Sequence, residues 1–179
     1  MLLRLSHATI RPWRPQDAPS LARYANNRRI WAKLRDSFPH PYTHDHAVSY
    51  IEMAMSKKPE TLFAICVEDE AVGGIGVIIR TDIERLSAEL GYWLGEPFWG
   101  KGIVTEAVSA ITGYAMRQFG LVRIYAMPFA TNPASARVLE KAGYLLEGRM
   151  RRAVIKDGTV IDQLLYAFVG DEPRGRPRQ

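Results

Sequence analysis

Gly100-Lys101-Gly102 stands between an apolar segment that reads as a strand and another that reads as a helix. Glycines at such a junction let backbone N–H groups approach an anion with no Cβ in the way. The start of the helix adds unpaired donors and a partial positive charge, which favour a phosphate by ~0.3–1 kcal/mol in an exposed setting. Glycines also occur at such turns for steric reasons alone, and the loop by itself leaves both readings open. Two phosphate motifs are excluded. Gly95-x-x-x-x-Gly100-Lys101 approaches a P-loop, but Gly102 stands where Mg²⁺ needs a Ser or Thr hydroxyl. A dinucleotide fingerprint counted from Gly100 needs a small residue where Thr105 stands, and no acidic ribose-binding residue ends the next strand.

Other chemistry-bearing residues are sparse. Asn132 and Ser135, three apart, face one side of a second helix start, and Asn132 before Pro133 also reads as a plain N-cap. Of the four histidines (His7, His40, His44, His46), His44 and His46 are two apart and would face different sides of a helix, so no metal site is expected. Cys66 is the single cysteine and lies in an apolar run, which makes it core packing rather than a nucleophile. No Ser-His-Asp arrangement is readable either, so covalent catalysis lacks a candidate.

These residues need a scaffold. The chain has 179 residues, 47% of them hydrophobic and 24% charged, enough for one core without disulfides or metal. No apolar run approaches the ~20 residues that cross a bilayer, and the N-terminal segment lacks a signal-peptide core, so a cytoplasmic location is expected. The net charge of +5 is spread along the chain, densest at Arg149, Arg151 and Arg152, without interleaved aromatics, and does not indicate nucleic-acid binding. A basic surface equally suits a polyphosphate or an acidic protein. Residues 1–170 read as one domain, and 171–179 as a disordered basic tail.

Within the domain, residues 8–13 read as a strand, with Asp17 as N-cap of a short helix. Residues 28–43 form a long loop or broken helix, a feature more often functional than idle. Thr43 or His44 opens a helix to about Met55. Residues 61–68 and 71–80 form a hairpin, and 87–94 another strand. Ile103, Val104, Ala107, Val108, Ile111, Tyr114, Ala115 and Phe119 recur at helical spacing, with Gly120 as the stop. A strand over 121–129, a helix from Asn132 to Ala142 and two strands joined at Asp157-Gly158 complete the chain. The β-α-β unit makes two strands parallel in an otherwise antiparallel sheet. The expected class is therefore α/β: a mixed sheet of about seven strands with about four helices on both faces.

The segments ELGYWLGEPFWGKGIVTEA and NPASARVLEKAGYLLEG resemble the RimJ/RimL-type branch of the GNAT superfamily of N-acetyltransferases. IRPWRPQDA, FPHPYT and the closing KDG turn followed by LLYAF agree, and the resemblance runs to about residue 170. It implies the GNAT fold, a central β-α-β acetyl-CoA site, and acetyl transfer to a primary amine. The implied acceptor is a protein N-terminal α-amine as on ribosomal proteins. Alternatives are a small-molecule amine (polyamine, amino-acid-like compound or antibiotic) and a non-catalytic CoA-binding module. Acetyl-CoA is the implied co-substrate, with no metal, no direct nucleic acid and no membrane partner; a homodimer is allowed for.

By resemblance, Tyr92, Trp93 and Leu94 contact the pantetheine arm through their backbone, while Gly100, Lys101, Gly102, Ile103, Val104 and Thr105 surround the pyrophosphate. Asn132 matches a cofactor-contacting position, and Ser135 matches the acid that protonates the CoA thiolate. Other GNAT enzymes use a Tyr one turn later, where this chain has Leu139 and no hydroxyl nearby. Pro97 departs from the Gln or Arg frequent three residues before the first loop glycine, which shifts the load to the loop amides. Val154 stands where some N-terminal acetyltransferases carry a basic Glu. Glu89 is then the alternative base, acting through water, against the reading of a solvated strand glutamate. An α-amine with pKa ~7.7–8.0 needs such a base far less than a lysine at ~10.4. Trp31, Phe38, Tyr42 and the neighbouring arginines are the expected lining of the acceptor pocket, against the reading of surface or lid packing, with His44 and His46 nearby.

Overall fold

A computed structural model describes residues 1–170 of the chain; the tail expected over 171–179 lies outside them. Among the described residues the strands are β1 (Leu3–Arg4), β2 (Thr9–Pro12), β3 (Leu62–Val67), β4 (Glu70–Ile79), β5 (Ser87–Leu94), β6 (Arg123–Ala126), β7 (Leu145–Lys156) and β8 (Thr159–Val169). They form one 8-stranded sheet in the order β1-β2-β3-β4-β5-β6-β8-β7. Every neighbouring pair is antiparallel except β5 with β6. The helices are α1 (Ala18–Ala25), α2 (Arg28–Trp31), α3 (His44–Ser56), α4 (Ile103–Phe119) and α5 (Pro133–Lys141).

The class expected from the chain is the one observed, with one more strand and one more helix than the rough count. The added strand, β1, is two residues long, too short for an alternating pattern to register. The added helix, α2, arises inside the segment read as a loop or broken helix, where the Asn27 side chain accepts the Arg29 N–H and starts the turn. Thr43 caps α3 in the expected place.

Alternation along the central strands divides the core in two. In β3, Phe63 and Ile65 pack with Ile103, Ala107, Val108 and Ile111 of α4 and Leu139 of α5. Ala64 and Cys66 face the other way, beneath Leu21 of α1 and Ala47 and Ile51 of α3. Cys66 is thus core, as expected, and burial pushes its thiol up to about 12.

Two local readings change. The strand expected over 121–129 is an unbroken ladder only from Arg123 to Ala126. Pro128 offers no N–H and interrupts it, although the Pro128 carbonyl still accepts the Leu164 N–H at 2.9 Å and Phe129 bridges Gln163 in the same register. Asp17 occupies the N-cap position of α1 but makes no capping bond. Its carboxylate instead takes two hydrogen bonds from the buried Arg11 guanidinium, at 2.7 and 2.8 Å, and one from the Arg14 N–H.

That ion pair makes a stability prediction. Asp17→Ala leaves the Arg11 side chain, 4% exposed, without its main counter-charge, and urea unfolding is expected to show a loss of about 3–5 kcal/mol. A loss below ~1 kcal/mol would mean that Asp69, which also bonds Arg11, compensates alone.

Candidate active site

β5 and β6 pair for three residues only, Ser87, Ala88 and Glu89 against Arg123, Ile124 and Tyr125. Beyond Glu89 the strands diverge. Leu90 to Leu94 keep β4 on one side and have no strand on the other, so that edge retains backbone donors and acceptors for a ligand, apart from the Leu94 carbonyl, which accepts the Trp99 indole N–H at 2.7 Å.

A cleft of about 680 Å³ opens along this edge. All the residues expected to hold the cofactor lie on its wall: Tyr92, Trp93 and Leu94 from β5; Gly100 to Thr105 from the turn and the start of α4; Asn132 and Ser135 from the start of α5. Gly100 and Gly102 adopt φ of 75° and 78°, the left-handed region that costs other residues about 1 kcal/mol or more. A Cβ at either would meet nothing within 4 Å, so backbone conformation and open space for a ligand, rather than crowding, set the glycine requirement. The first N–H of the α4 start to bond back is that of Glu106, to the Gly102 carbonyl at 3.2 Å. The amides of Ile103, Val104 and Thr105 therefore precede the helix ladder and are free to bind an anion. Pro97 sits in a single 3₁₀ turn, Glu96–Phe98, just before this cradle. Four cations not expected at the cofactor cleft, Arg29, Lys33, Arg137 and Lys141, also line it. The spacing of four that sets the last two on one face of α5 is the signal that could have found them.

A second cavity of about 290 Å³ lies beside the first and is lined by Arg35, Phe38, Tyr50, Glu89 and Gln163, among others. The two spaces share Lys33, Leu34, Tyr92, Trp93, Asn132 and Ser135. At this junction the Ser135 Oγ stands 2.7 Å from the Tyr92 hydroxyl, and that hydroxyl lies 3.3 Å from the Ser135 carbonyl. A phenol has one proton to donate. When it donates to the carbonyl, the serine hydroxyl donates to the phenol, and the reverse arrangement frees the serine oxygen to accept. Burial pushes the Tyr92 phenol up to about 12, with the Ser135 bond working against the rise, so both hydroxyls carry protons at neutral pH. Tyr92, expected to serve through its backbone alone, thus brings a side-chain hydroxyl close to Ser135. Asn132 accepts the Ser135 N–H at 3.3 Å, so it both caps α5 and faces the site.

Glu89 is not the solvated strand glutamate of one reading. It is 9% exposed, because the segment Lys33–Phe38 folds over the end of the β5–β6 pairing and brings the Arg35 guanidinium onto its Oε1. Its Oε2 has no hydrogen-bond partner among the described residues. Of the three aromatic residues expected around the acceptor, only Phe38 lines the cavity, packed on Trp93 with centroids 5.7 Å apart. Tyr42 is 5% exposed and belongs to the core under α1 and α3. Trp31 turns outward beneath the Lys156 ammonium and beside His40. His46 accepts the Thr43 N–H in the cap of α3, and Val154 pairs with Ile161 in the β7–β8 hairpin. Trp93 depends on Gly74 across the sheet, where a Cβ would stand 2.8 Å from its Nε1.

Comparison with known proteins agrees with this geometry. Residues 7–145 match the family model of the acetyltransferase (GNAT) domain. The chain is 36% identical over 112 residues to the Escherichia coli ribosomal-protein-serine acetyltransferase, covering 62% of this chain and 61% of that one. It is 35% identical over 100 residues to the Bacillus subtilis N-acetyltransferase YoaA, covering 56% of each. The fold superimposes on that of a RimL alpha-N-protein acetyltransferase solved with coenzyme A, at a TM-score of 0.85, 20% identity, and coverage of 97% and 100%. The chain belongs to the GNAT family of N-acetyltransferases. No helix among the described residues is long and apolar enough to cross a membrane.

The buried phenols set an alkaline limit. Tyr50 and Tyr92 are both pushed up to about 12 by burial, whereas unfolded tyrosines ionise near ~10. Between these values the unfolded chain loses protons that the folded chain keeps, so stability present below pH ~10 falls as pH rises towards ~12. Tyr92→Phe is expected to flatten this fall by up to about 1.4 kcal/mol per pH unit in urea titrations across that window. An unchanged slope would mean that Tyr92 ionises as it does in water.

Proposed function

We propose that the protein transfers an acetyl group from acetyl-CoA to a protein N-terminal α-amine, by direct attack in a ternary complex. The observation that carries this reading is the junction of two cavities at Tyr92 and Ser135, one opening on an anion cradle and the other on Glu89. A donor thioester in the first space and an amine in the second would meet there. The E. coli relative named for a ribosomal-protein serine substrate supports an N-terminal acceptor, and the coenzyme A in the RimL structure supports the donor.

The residues fit the donor. The α4 amides and Lys101 take the diphosphate, Arg137 and Lys141 add positive charge along the cleft, and the free edge of β5 pairs with the amides of the pantetheine arm. Holding both reactants at the junction supplies most of the acceleration by converting an encounter into a positioned attack. The amine nitrogen bonds to the acetyl carbon, and the carbon–sulfur bond breaks. The proton lost by the amine passes through water to the Glu89 carboxylate. The departing thiolate, with a solution pKa near ~8.5, takes a proton from Ser135, which Tyr92 can replenish along their hydrogen bond. No acyl-enzyme is involved: Cys66 is 1% exposed and its thiol is held protonated.

A thiol-release screen tests the proposal, pairing acetyl-CoA with peptides bearing free N-terminal Ser or Ala, with polyamines, and with amino-acid-like amines. Turnover of the peptides is expected. Turnover of small amines alone would replace the acceptor, and a parallel double-reciprocal pattern would overturn direct transfer. Gly100→Glu is expected to abolish the calorimetric heat of CoA binding, whereas Ser135→Ala should keep that binding and lower kcat by about 10²-fold. Unaltered turnover in Ser135→Ala would remove the serine from the mechanism.

A further inference from the structure

The turn between β7 and β8 lies far along the chain from α2, yet it is fastened to the wall of both cavities. Lys156 is buried, its side chain 4% exposed, with Nζ 2.7 Å from the Asp36 carboxylate. The same ammonium stands 3.7 Å from the centroid of the Trp31 ring. Asp157, the next residue, accepts a 2.6 Å hydrogen bond from Arg28. Arg28, Trp31 and Asp36 bracket the segment that supplies Lys33 and Leu34 to the shared wall and Arg35 to Glu89. On its inner side the segment is tied by Lys33, whose ammonium donates to the Thr131 carbonyl at 2.6 Å, next to Asn132.

We propose that Lys156 is a positioning residue for acceptor binding: it acts through Trp31 and Asp36 to hold the Lys33–Phe38 wall in the place where Arg35 meets Glu89. The charge and the stem do separate work. The ammonium sits between an aromatic face, which attracts a cation through its quadrupole, and a carboxylate, while the methylene stem is buried with the rest of the side chain. Losing the charge removes both Lys156 contacts on the outer side of the wall, leaving the Arg28–Asp157 pair ahead of it and the Lys33, Arg35 and Phe38 contacts inside. The acceptor cavity, whose wall is this segment, should then loosen more than the phosphate cradle, which rests on the turn before α4.

The proposal builds on the reading of the smaller cavity as the acceptor site, and its test separates the two. Amide hydrogen exchange is measured in the intact chain without ligand for Lys156→Met, which keeps the stem, for Lys156→Arg, which keeps the charge, and for Asp36→Asn. Asp36 is 71% exposed on its side chain, so its variant removes the same ion pair with little risk to folding. Exchange at residues 33–38 is expected to quicken about tenfold or more in Lys156→Met and in Asp36→Asn, with the amides around Gly100 unchanged and Lys156→Arg close to wild type. Trp31 emission should shift in Lys156→Met as its cation is lost. With an N-terminal Ser peptide, KM should rise about tenfold in Lys156→Met while CoA binding stays within about twofold. Unaltered exchange at 33–38 in both Lys156→Met and Asp36→Asn overturns the proposal. Quickened exchange in a protein that turns over no amine keeps the wall's anchor and removes the acceptor reading instead.

Discussion

The short parallel contact between β5 and β6 is the constraint on which the site rests. After Glu89 the two strands part, and the sheet can no longer satisfy the inward edge of Leu90–Leu94. In a continuous sheet that edge would be paired and the interior filled with side chains. Here the parting leaves a row of backbone donors and acceptors beside a cleft that ends at a glycine turn and a helix start. Glu89 lies at the last paired position, which is why a carboxylate that alternation alone would allow at a surface is enclosed instead.

Two cavities on one strand place unlike chemistry close together. The larger is positive, with amides at the start of α4 and five basic side chains around it. The smaller is mostly aromatic and aliphatic, with the Arg35–Glu89 pair and the shared Lys33 as its ionic groups. Tyr92 and Ser135 stand between them, both uncharged at neutral pH, so the meeting point imposes no fixed charge on an approaching amine or thioester. The Lys33–Phe38 wall borders the smaller space along most of its length and the larger only at Lys33 and Leu34, so a displacement centred on Arg35–Phe38 bears chiefly on the smaller.

What could be read in the chain beforehand follows from how local each signal is. The cradle was legible because Gly100, Gly102 and the first turn of α4 are contiguous, and a strand-glycine-helix pattern has few physical readings. Helices on both faces of a mixed sheet were legible from the β-α-β unit and the helical spacing in α4, whereas the apolar run of β3 does not say which residues face which way. The burial of Glu89 was not, since it depends on β5 and β6 parting after the Glu89–Tyr125 pair and on a segment more than fifty residues earlier closing over it. The Tyr92–Ser135 contact joins positions 43 residues apart, and neither type nor spacing announces such a bond. The aromatic residues of the 28–43 segment were the least legible. Without knowing that α2 forms inside it, Trp31, Phe38 and Tyr42 look equivalent, although the chain turns one outward, one into the cavity and one into the core.

The unpaired edge of β5 also bears on how durable the folded state is. A molecule that lays its own amides along Leu90–Leu94 acts as an absent strand, satisfying groups that the polypeptide leaves open. Because an unfolded chain offers no such edge, a ligand present at a hundred times its dissociation constant would deepen the native well by ~2.7 kcal/mol. Folding stability would then rise with the concentration of any small molecule that completes the sheet.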